Sequence, residues 1–103
     1  MGTFTKVADA AALPPGKAVS VEAGGREIAL FNVGGRLFAI DAECTHAGGP
    51  LCEGDVEGTV LTCPWHGATF DLESGKNLTR PAPTGVNCYP VRVEGGEVQV
   101  ELP

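Results

Sequence analysis

Short hydrophobic segments separated by glycine pairs run along most of this chain. Gly24-Gly25, Gly34-Gly35 and Gly95-Gly96 each lie between residues rich in valine, isoleucine, leucine and phenylalanine. Such pairs supply the positive φ values that tight hairpin turns require. The pattern predicts strands at Lys17 to Glu22, Arg26 to Val33, Arg36 to Asp41, Thr59 to Cys63, Ala68 to Leu72, Cys88 to Glu94 and Glu97 to Leu102.

No segment shows a sustained helical period. Ala8 to Leu13 suggests a helix, but Pro14-Pro15 limits it to little more than one turn. The sequence therefore predicts an all-β fold, in which antiparallel hairpins pack as sheets or form a small barrel. We find no internal repeat, linker or second domain, so we expect one domain over residues 1–103.

The composition is that of a globular protein, because 43% of the 103 residues are hydrophobic and 19% are charged. No apolar run approaches the roughly 20 residues that span a bilayer. The N-terminus lacks a basic region followed by an apolar stretch and a cleavage site. These features predict a soluble, cytoplasmic protein.

Acidic residues outnumber basic ones by 13 to 7, which gives a net charge of -6. This charge argues against nucleic acid or an anionic membrane as a partner, because both select for clustered cations. No lysine or arginine lies between positions 41 and 57, which hold five acidic residues: Asp41, Glu43, Glu53, Asp55 and Glu57. They form either a solvated acidic face or a surface that attracts a basic partner.

Two short motifs each offer one thiolate and one imidazole: Cys44-Thr45-His46 and, after 16 intervening residues, Cys63-Pro64-Trp65-His66. Paired Cys and His ligands fit a [2Fe-2S] centre in which two Cys hold one iron and two His hold the other. In an extended segment a two-residue advance covers about 6 to 7 Å, so one segment can reach both irons. Gly48, Gly49 and Gly67 follow the motifs, where a missing Cβ lets backbone N–H groups approach the cluster sulfurs.

Other chemistries use the same residue types. Structural zinc sites usually pair Cys with Cys and His with His in separate blocks, whereas each block here mixes the two. A Cys-His nucleophile has no use for a duplicated pair. His46 and His66 are the only histidines in the chain, so none remains for a mononuclear oxygen-activating iron. No glycine-rich nucleotide fingerprint opens a helix. The motifs therefore predict an electron carrier that is not itself an enzyme.

The sequence Cys-Thr-His…Cys-Pro-Trp-His-Gly, with Gly48-Gly49-Pro50-Leu51 after the first motif, resembles the Rieske ferredoxins of bacterial ring-hydroxylating oxygenases. The resemblance covers essentially the whole chain, and Arg80-Pro81-Ala82-Pro83 matches the family's third cluster-shielding loop. It implies a Rieske-like sandwich or small barrel with a cluster-binding part at about residues 42–85. Cys44 and Cys63 would bind the inner iron, and His46 and His66 the outer, reducible iron.

The resemblance also implies partners. A flavin-dependent ferredoxin reductase would supply single electrons to this chain, which we expect to be a monomer. A terminal oxygenase that acts on aromatic rings would accept the electrons from it. An apolar rim around the histidines, which would dock partners or shield the cluster from water, would consist of Pro50, Leu51, Trp65, Pro81 and Pro83. Two alternatives stay open: a Rieske small subunit of an assimilatory nitrite reductase, and a non-catalytic iron-sulfur sensor or assembly subunit.

The remaining cysteines separate this chain from respiratory Rieske proteins. Those proteins carry a loop disulfide at positions that match Gly49 and Trp65, and neither is cysteine here. Cys52 and Cys88 lie elsewhere, and in a reducing cytoplasm we expect both to be small buried hydrophobic residues.

High-potential relatives place a Ser and a Tyr hydroxyl where this chain has Ala68 and Phe70. Hydrogen bonds to cluster sulfur favour the reduced state, so the absence of both lowers the reduction potential. The nearby acidic residues lower it further by repelling the incoming electron. We predict a potential at the low end of the Rieske range, about -150 mV.

Overall fold

The computed structural model describes residues 3–43, 51–64, 67–78 and 85–102. Within these ranges the chain forms β1 (Thr3–Asp9), β2 (Ala18–Ala23), β3 (Arg26–Val33), β4 (Arg36–Asp41), β5 (Asp55–Glu57), β6 (Val60–Thr62), β7 (Thr69–Asp71), β8 (Cys88–Tyr89), β9 (Val91–Glu94) and β10 (Glu97–Leu102). Short 3₁₀ helices lie at Ala10–Ala12 and Leu51–Glu53. In these ranges no helix has both the length and the apolar character needed to cross a membrane.

The strands form three antiparallel sheets with the orders β1-β10-β9, β2-β3-β4-β8 and β5-β6-β7. Neighbouring strands are mostly joined by hairpins, as in β2 to β3, β3 to β4, β5 to β6 and β9 to β10. This architecture confirms the predicted antiparallel all-β fold. The single turn of helix expected near Ala8 to Leu13 is the 3₁₀ helix at Ala10–Ala12.

The four-stranded sheet is central, because its two faces are buried in two different cores. Ile28 and Leu30 enter one core, while the alternate residues Ala29 and Phe31 enter the other. Successive strand residues point to opposite faces, so a strand that is covered on both sides reads as one continuous apolar run. The core on the side of β1-β10-β9, here the back core, contains Leu13, Ala23, Ile28, Leu30, Ala39, Tyr89, Val98 and Val100.

The other core, here the site core, lies between the central sheet and β5-β6-β7. Its buried members come from both sheets and from the segments between them: Ala29, Phe31, Phe38, Ile40, Ala42, Leu51, Leu61, Cys63, Ala68, Phe70, Leu72 and Val86. Cys63 is the one predicted metal ligand among them. The site core thus attaches the small third sheet to the central sheet, and the back core attaches β1-β10-β9 to the other face.

Both residues of each glycine pair adopt positive φ. The values are 58° and 77° at Gly24 and Gly25, and 59° and 79° at Gly95 and Gly96. Two successive positive φ values define the hairpin turn that glycine favours most strongly. The glycine pairs therefore form the tight turns of the β2–β3 and β9–β10 hairpins, as the sequence predicted.

Two strands were not predicted, and one predicted strand is interrupted. β1 contains an irregularity between Lys6 and Ala8 that breaks its alternation, and β10 pairs with it on both sides of that point. All three residues of β5 are exposed, so pairing with β6 alone defines it as a strand. The predicted strand Cys88 to Glu94 divides at Pro90, because proline has no N–H for a ladder and the chain passes there from the central sheet to β9.

Candidate functional site

Of the four predicted ligands, the structure describes Cys63. Its position directly follows β6, and the residue is 1% exposed. The Cys63 N–H donates a hydrogen bond of 2.7 Å to the carbonyl of Ala68. This bond closes the base of the second ligand segment, residues 63–68, between β6 and β7. The other predicted ligands, Cys44, His46 and His66, lie outside the described residues.

A second backbone bond closes the base of the first ligand segment, residues 44–50. The N–H of Leu51 donates to the carbonyl of Ala42 over 2.9 Å. Ala42 directly follows β4, and both residues are buried in the site core. Ala42 and Leu51, which lie on either side of the first ligand segment in the sequence, are therefore neighbours in the fold.

The bases of both ligand segments meet in the site core. Ala42 and Leu51 from the first base share this core with Cys63 and Ala68 from the second. A cluster held by thiolates and shielded from water needs such a convergence of two chain segments around a buried thiol. The described residues therefore fit the predicted cluster. In the part of the chain that the structure describes, no group of three or more potential metal ligands gathers.

The third segment, residues 79–84, lies outside the described residues, but Gly85 and Val86, which follow it, pack closely against Gly75. The N–H of Val86 donates to the carbonyl of Gly75 over 2.7 Å. A Cβ on Gly75, whose φ is +76°, would lie 2.1 Å from the carbonyl oxygen of Val86. A Cβ on Gly85 would lie 2.6 Å from the carbonyl oxygen of Gly75. Only glycine allows these two chain segments to approach so closely.

A hydrogen-bonded network joins the C-terminal side of the third segment to the end of β4. Asp41 Oδ2 accepts a bond of 2.9 Å from the N–H of Asn87, and Asp41 Oδ1 accepts one of 2.5 Å from the Tyr89 hydroxyl. Arg26 donates to the same hydroxyl oxygen over 3.2 Å. The sequence pattern grouped Asp41 with the exposed carboxylates of the acidic run. In the structure both of its carboxylate oxygens accept hydrogen bonds. Tyr89 was overlooked, although a buried tyrosine needs a partner for its hydroxyl.

Burial and the hydrogen bond to Asp41 raise the pKa of the Tyr89 phenol above its ordinary value of 10. The bond therefore stabilises the fold fully below about pH 10 and is lost as the pH rises through the higher folded-state value. Tyr89 is the single tyrosine of the chain, so tyrosinate absorbance reports it alone. We expect a titration midpoint above pH 10 and a lower midpoint in Asp41→Asn. The Tyr89→Phe spectrum serves as the blank, and a wild-type midpoint at or below 10 would contradict this network.

Ala68 and Phe70 are both fully buried in the site core that contains Cys63. Neither side chain can donate a hydrogen bond. Ala68 ends the second ligand segment and Phe70 lies on β7, so both positions hold apolar groups, as the predicted low potential requires.

Leu51 corrects the prediction of an apolar rim. It is fully buried in the site core, because the 3₁₀ helix that contains it lies against β2 and β3. The other predicted rim residues, and Arg80, lie outside the described residues: Pro50, Trp65, Pro81 and Pro83. Gly48 and Gly49 also lie outside them. Gly67 has a φ of +74° with open space around its Cβ position, so the turn itself requires glycine there.

The expectation that both remaining cysteines are buried was wrong for Cys88 and only partly right for Cys52. Cys88 is exposed, because β8 is the edge strand of the central sheet and Tyr89 takes the position that faces the back core. Cys52 is half-buried and packs against the site core. Burial is the main cause that raises the pKa of the Cys52 thiol, which keeps it protonated and less reactive.

Four carboxylates of the acidic run are exposed: Glu43, Glu53, Asp55 and Glu57. In the described ranges no ion pair joins them to a cation. Asp55 pairs across the sheet with Thr62, the residue before Cys63, and Glu53 follows Leu51 closely in the 3₁₀ helix. The acidic surface formed by these four residues therefore borders the bases of both ligand segments.

The bases of the two Cys/His segments meet in one buried core of a small antiparallel β protein, which is the arrangement expected of an iron-sulfur electron carrier. Residues 3–90 match the family described as the Rieske [2Fe-2S] domain. The chain belongs to this family.

Relatives with named functions match most of the chain. The 3-phenylpropionate/cinnamic acid dioxygenase ferredoxin subunit of Escherichia coli K12 is 42% identical over 92 residues, which cover 88% of this chain and 86% of the relative. The ferredoxin component of the naphthalene 1,2-dioxygenase system of Pseudomonas aeruginosa is 37% identical, over 87% of this chain and 86% of that one.

Solved structures resemble the whole fold. The ferredoxin of carbazole 1,9a-dioxygenase from Nocardioides aromaticivorans superposes with a TM-score of 0.88 and 30% identity, covering 95% of this chain and 96% of that one. A chain from the solved complex of reduced oxygenase and oxidized ferredoxin in carbazole 1,9a-dioxygenase has a TM-score of 0.86 and 31% identity. The match covers 98% of this chain and 94% of that one. A putative NADH-dependent nitrite reductase small subunit from Mycobacterium tuberculosis has a TM-score of 0.87 and 26% identity. The match covers 100% of this chain and 97% of that one.

These similarities confirm three predictions. The chain is a Rieske-type ferredoxin, it carries one [2Fe-2S] cluster, and it is an electron-transfer protein and not an enzyme. The ligand positions and the single domain over residues 1–103 stay predictions.

Proposed function

We propose that this chain carries single electrons from a flavin-dependent reductase to a terminal oxygenase that hydroxylates aromatic rings. The observation that carries the proposal is its 42% identity, over 88% of the chain, to a dioxygenase ferredoxin subunit. We further propose that it acts in the cytoplasm as a one-domain monomer, with a cluster-binding part at about residues 42–85.

The proposed ligands are Cys44 and Cys63 at the inner iron, and His46 and His66 at the outer iron. The bound cluster supplies a reversible one-electron change. Cys63 keeps its thiolate away from water, since it is 1% exposed within the site core. The bonds from Leu51 to Ala42 and from Cys63 to Ala68 hold the ends of both ligand segments in place.

The acidic surface would orient a basic patch of a partner toward the cluster. Asp55 and Glu57 alternate along β5, so both lie on one face of that edge strand. Opposite charges on two proteins accelerate their association, and salt weakens this effect. The carboxylates therefore support fast, reversible docking more than tight binding.

Electron delivery by the purified protein tests this function. A mixture of a flavin-dependent ferredoxin reductase, NADH and a ring-hydroxylating oxygenase should form hydroxylated product only when this chain is added. The rate should fall as ionic strength rises. In Asp55→Asn/Glu57→Gln, which changes the net charge from -6 to -4, the rate should fall several-fold at low salt.

Glu22→Gln/Glu94→Gln is the matched control, because it removes two exposed carboxylates elsewhere and changes the net charge equally. It should retain most of the rate. Equal losses in both double variants would leave net charge as the explanation and remove the docking role of β5. Product formation without this chain would contradict the carrier function.

A second candidate is the small subunit of a nitrite reductase, which the similarity to the structure from Mycobacterium tuberculosis favours. A subunit of that kind stays with a larger enzyme through purification. Isolation of this chain as a free monomer that reduces an oxygenase would exclude the second candidate.

A further inference from the structure

The carboxylate of Asp41 extends the ladder between β4 and β8 by one residue. The strands pair at Ala39 with Tyr89 and at Ile40 with Cys88. Beyond them the Asp41 N–H donates to the carbonyl of Asn87 over 3.0 Å, and Asp41 Oδ2 accepts from the Asn87 N–H over 2.9 Å. These reciprocal bonds attach the C-terminal side of the third segment to the chain three residues before Cys44.

Tyr89 fixes the orientation of that carboxylate. Its hydroxyl donates a hydrogen bond of 2.5 Å to Asp41 Oδ1, and the tyrosine is 8% exposed. Hydrogen bonds to an ionised carboxylate are shorter and stronger than bonds between neutral groups. Arg26 contributes a third, longer bond at 3.2 Å to the Tyr89 oxygen, from an exposed position. Asp41 therefore has partners at both oxygens and one preferred orientation.

The N-terminal end of residues 85–89 is bonded to the chain that follows β7. Val86 bonds to Gly75, which lies in the turn after β7. Residues 85–89 thus bridge two parts of the site, with the base of the first ligand segment on one side and β5-β6-β7 on the other. The side-chain bonds of Asp41 add the Asn87 N–H and the Tyr89 hydroxyl to the pairing of β4 with β8.

We propose that Asp41 and Tyr89 are positioning residues that clamp residues 85–89 onto the base of the first ligand segment and so slow the loss of the cluster. The inference deepens the proposed function and rests on it for the cluster readout. The clamp itself concerns described residues. Asp41 and Tyr89 both lie outside the two Cys/His ligand motifs.

Two readouts on the purified holoprotein test the clamp. One is backbone hydrogen exchange in peptides that cover residues 39–43 and 85–90. The other is the rate at which visible absorbance bleaches in excess chelator, well below the unfolding temperature. Tyr89→Phe removes one charge-assisted bond and should accelerate both processes about tenfold. Asp41→Ala removes both side-chain bonds and should have a larger effect.

Two controls separate positioning from general stability. Val98→Ala weakens the back core, where Val98 is fully buried, and should lower the unfolding temperature without faster bleaching. Arg26→Gln leaves the bond between Tyr89 and Asp41 in place and should change both rates less than about twofold, because Arg26 is exposed.

Faster exchange together with faster bleaching in Tyr89→Phe, but not in the controls, supports the clamp. Unchanged exchange, or faster exchange with unchanged bleaching, overturns it. If Asp41→Ala does not fold, the exchange and bleaching rates of Tyr89→Phe still test the clamp. A wild-type protein that binds no cluster contradicts the proposed function, and the exchange readout then decides whether Asp41 and Tyr89 hold the two segments together.

Discussion

Cys63→Ala should abolish the [2Fe-2S] centre, whereas Cys52→Ala should retain it. Cys63 is buried where the bases of both ligand segments meet, and we propose that its thiolate binds the inner iron. Alanine offers no ligand, and one remaining thiolate does not hold that iron. Iron content should fall from two atoms per chain to almost none, and the visible absorbance should disappear. Iron analysis and visible spectra of both purified variants measure this.

Cys52→Ala is a close control, because Cys52 packs against the same core and the substitution removes the same sulfur atom. A similar loss of packing in both variants therefore separates ligation from stability. Circular dichroism should show folded β structure for each chain. Full iron content in Cys63→Ala, or loss of iron in Cys52→Ala, would contradict the proposed ligand set.

The double variant Ala68→Ser/Phe70→Tyr should have a reduction potential on the order of 100 mV above that of the wild type. Each new hydroxyl would donate to a cluster sulfur or ligand thiolate, which stabilises the reduced state. If each bond favours that state by about 1.4 kcal/mol, each raises the potential by about 60 mV. The wild type should lie near the low end of the Rieske range, about -150 mV. Redox titration followed by visible absorbance measures both values.

Hydroxyls added elsewhere in the site core provide the control. Ala29→Ser and Phe31→Tyr change equally buried residues of the same types on the central sheet. They should destabilise the fold by about 1 to 3 kcal/mol, since a buried hydroxyl without a partner is costly, and should hardly change the potential. A wild-type potential well above zero, or equal shifts in both pairs of variants, would contradict the assignment of Ala68 and Phe70.

Local signals were most reliable where one short stretch of chain determines its own conformation. Gly24-Gly25 determines a hairpin turn, because both residues adopt a conformation that side chains disfavour. β3 and β4 have the predicted bounds for the same reason, since a hairpin with a tight glycine turn leaves little freedom in register. β5 lacks such a signal: its residues are exposed and its strand state depends on pairing with β6.

The candidate site shows the same division. The spacing of Cys and His identified the cofactor, because few metal centres use that ligand set. The spacing did not show that Asp41 is bonded to Tyr89 and Asn87, which lie 48 and 46 positions further along the chain. Asp41 resembled its acidic neighbours, since a sequence pattern contains no information about which carboxylate meets a distant donor.

The all-β class, the hairpins at the glycine pairs and the iron-sulfur chemistry could all be predicted from the chain before its structure was known. These properties follow from residue types and short spacings. The folded structure was needed to show that Leu51 is buried, that Cys88 is exposed and that Asp41 is bonded to Asn87 and Tyr89. Each depends on which strand lies beside another, and that arrangement results from the packing of three sheets around two cores.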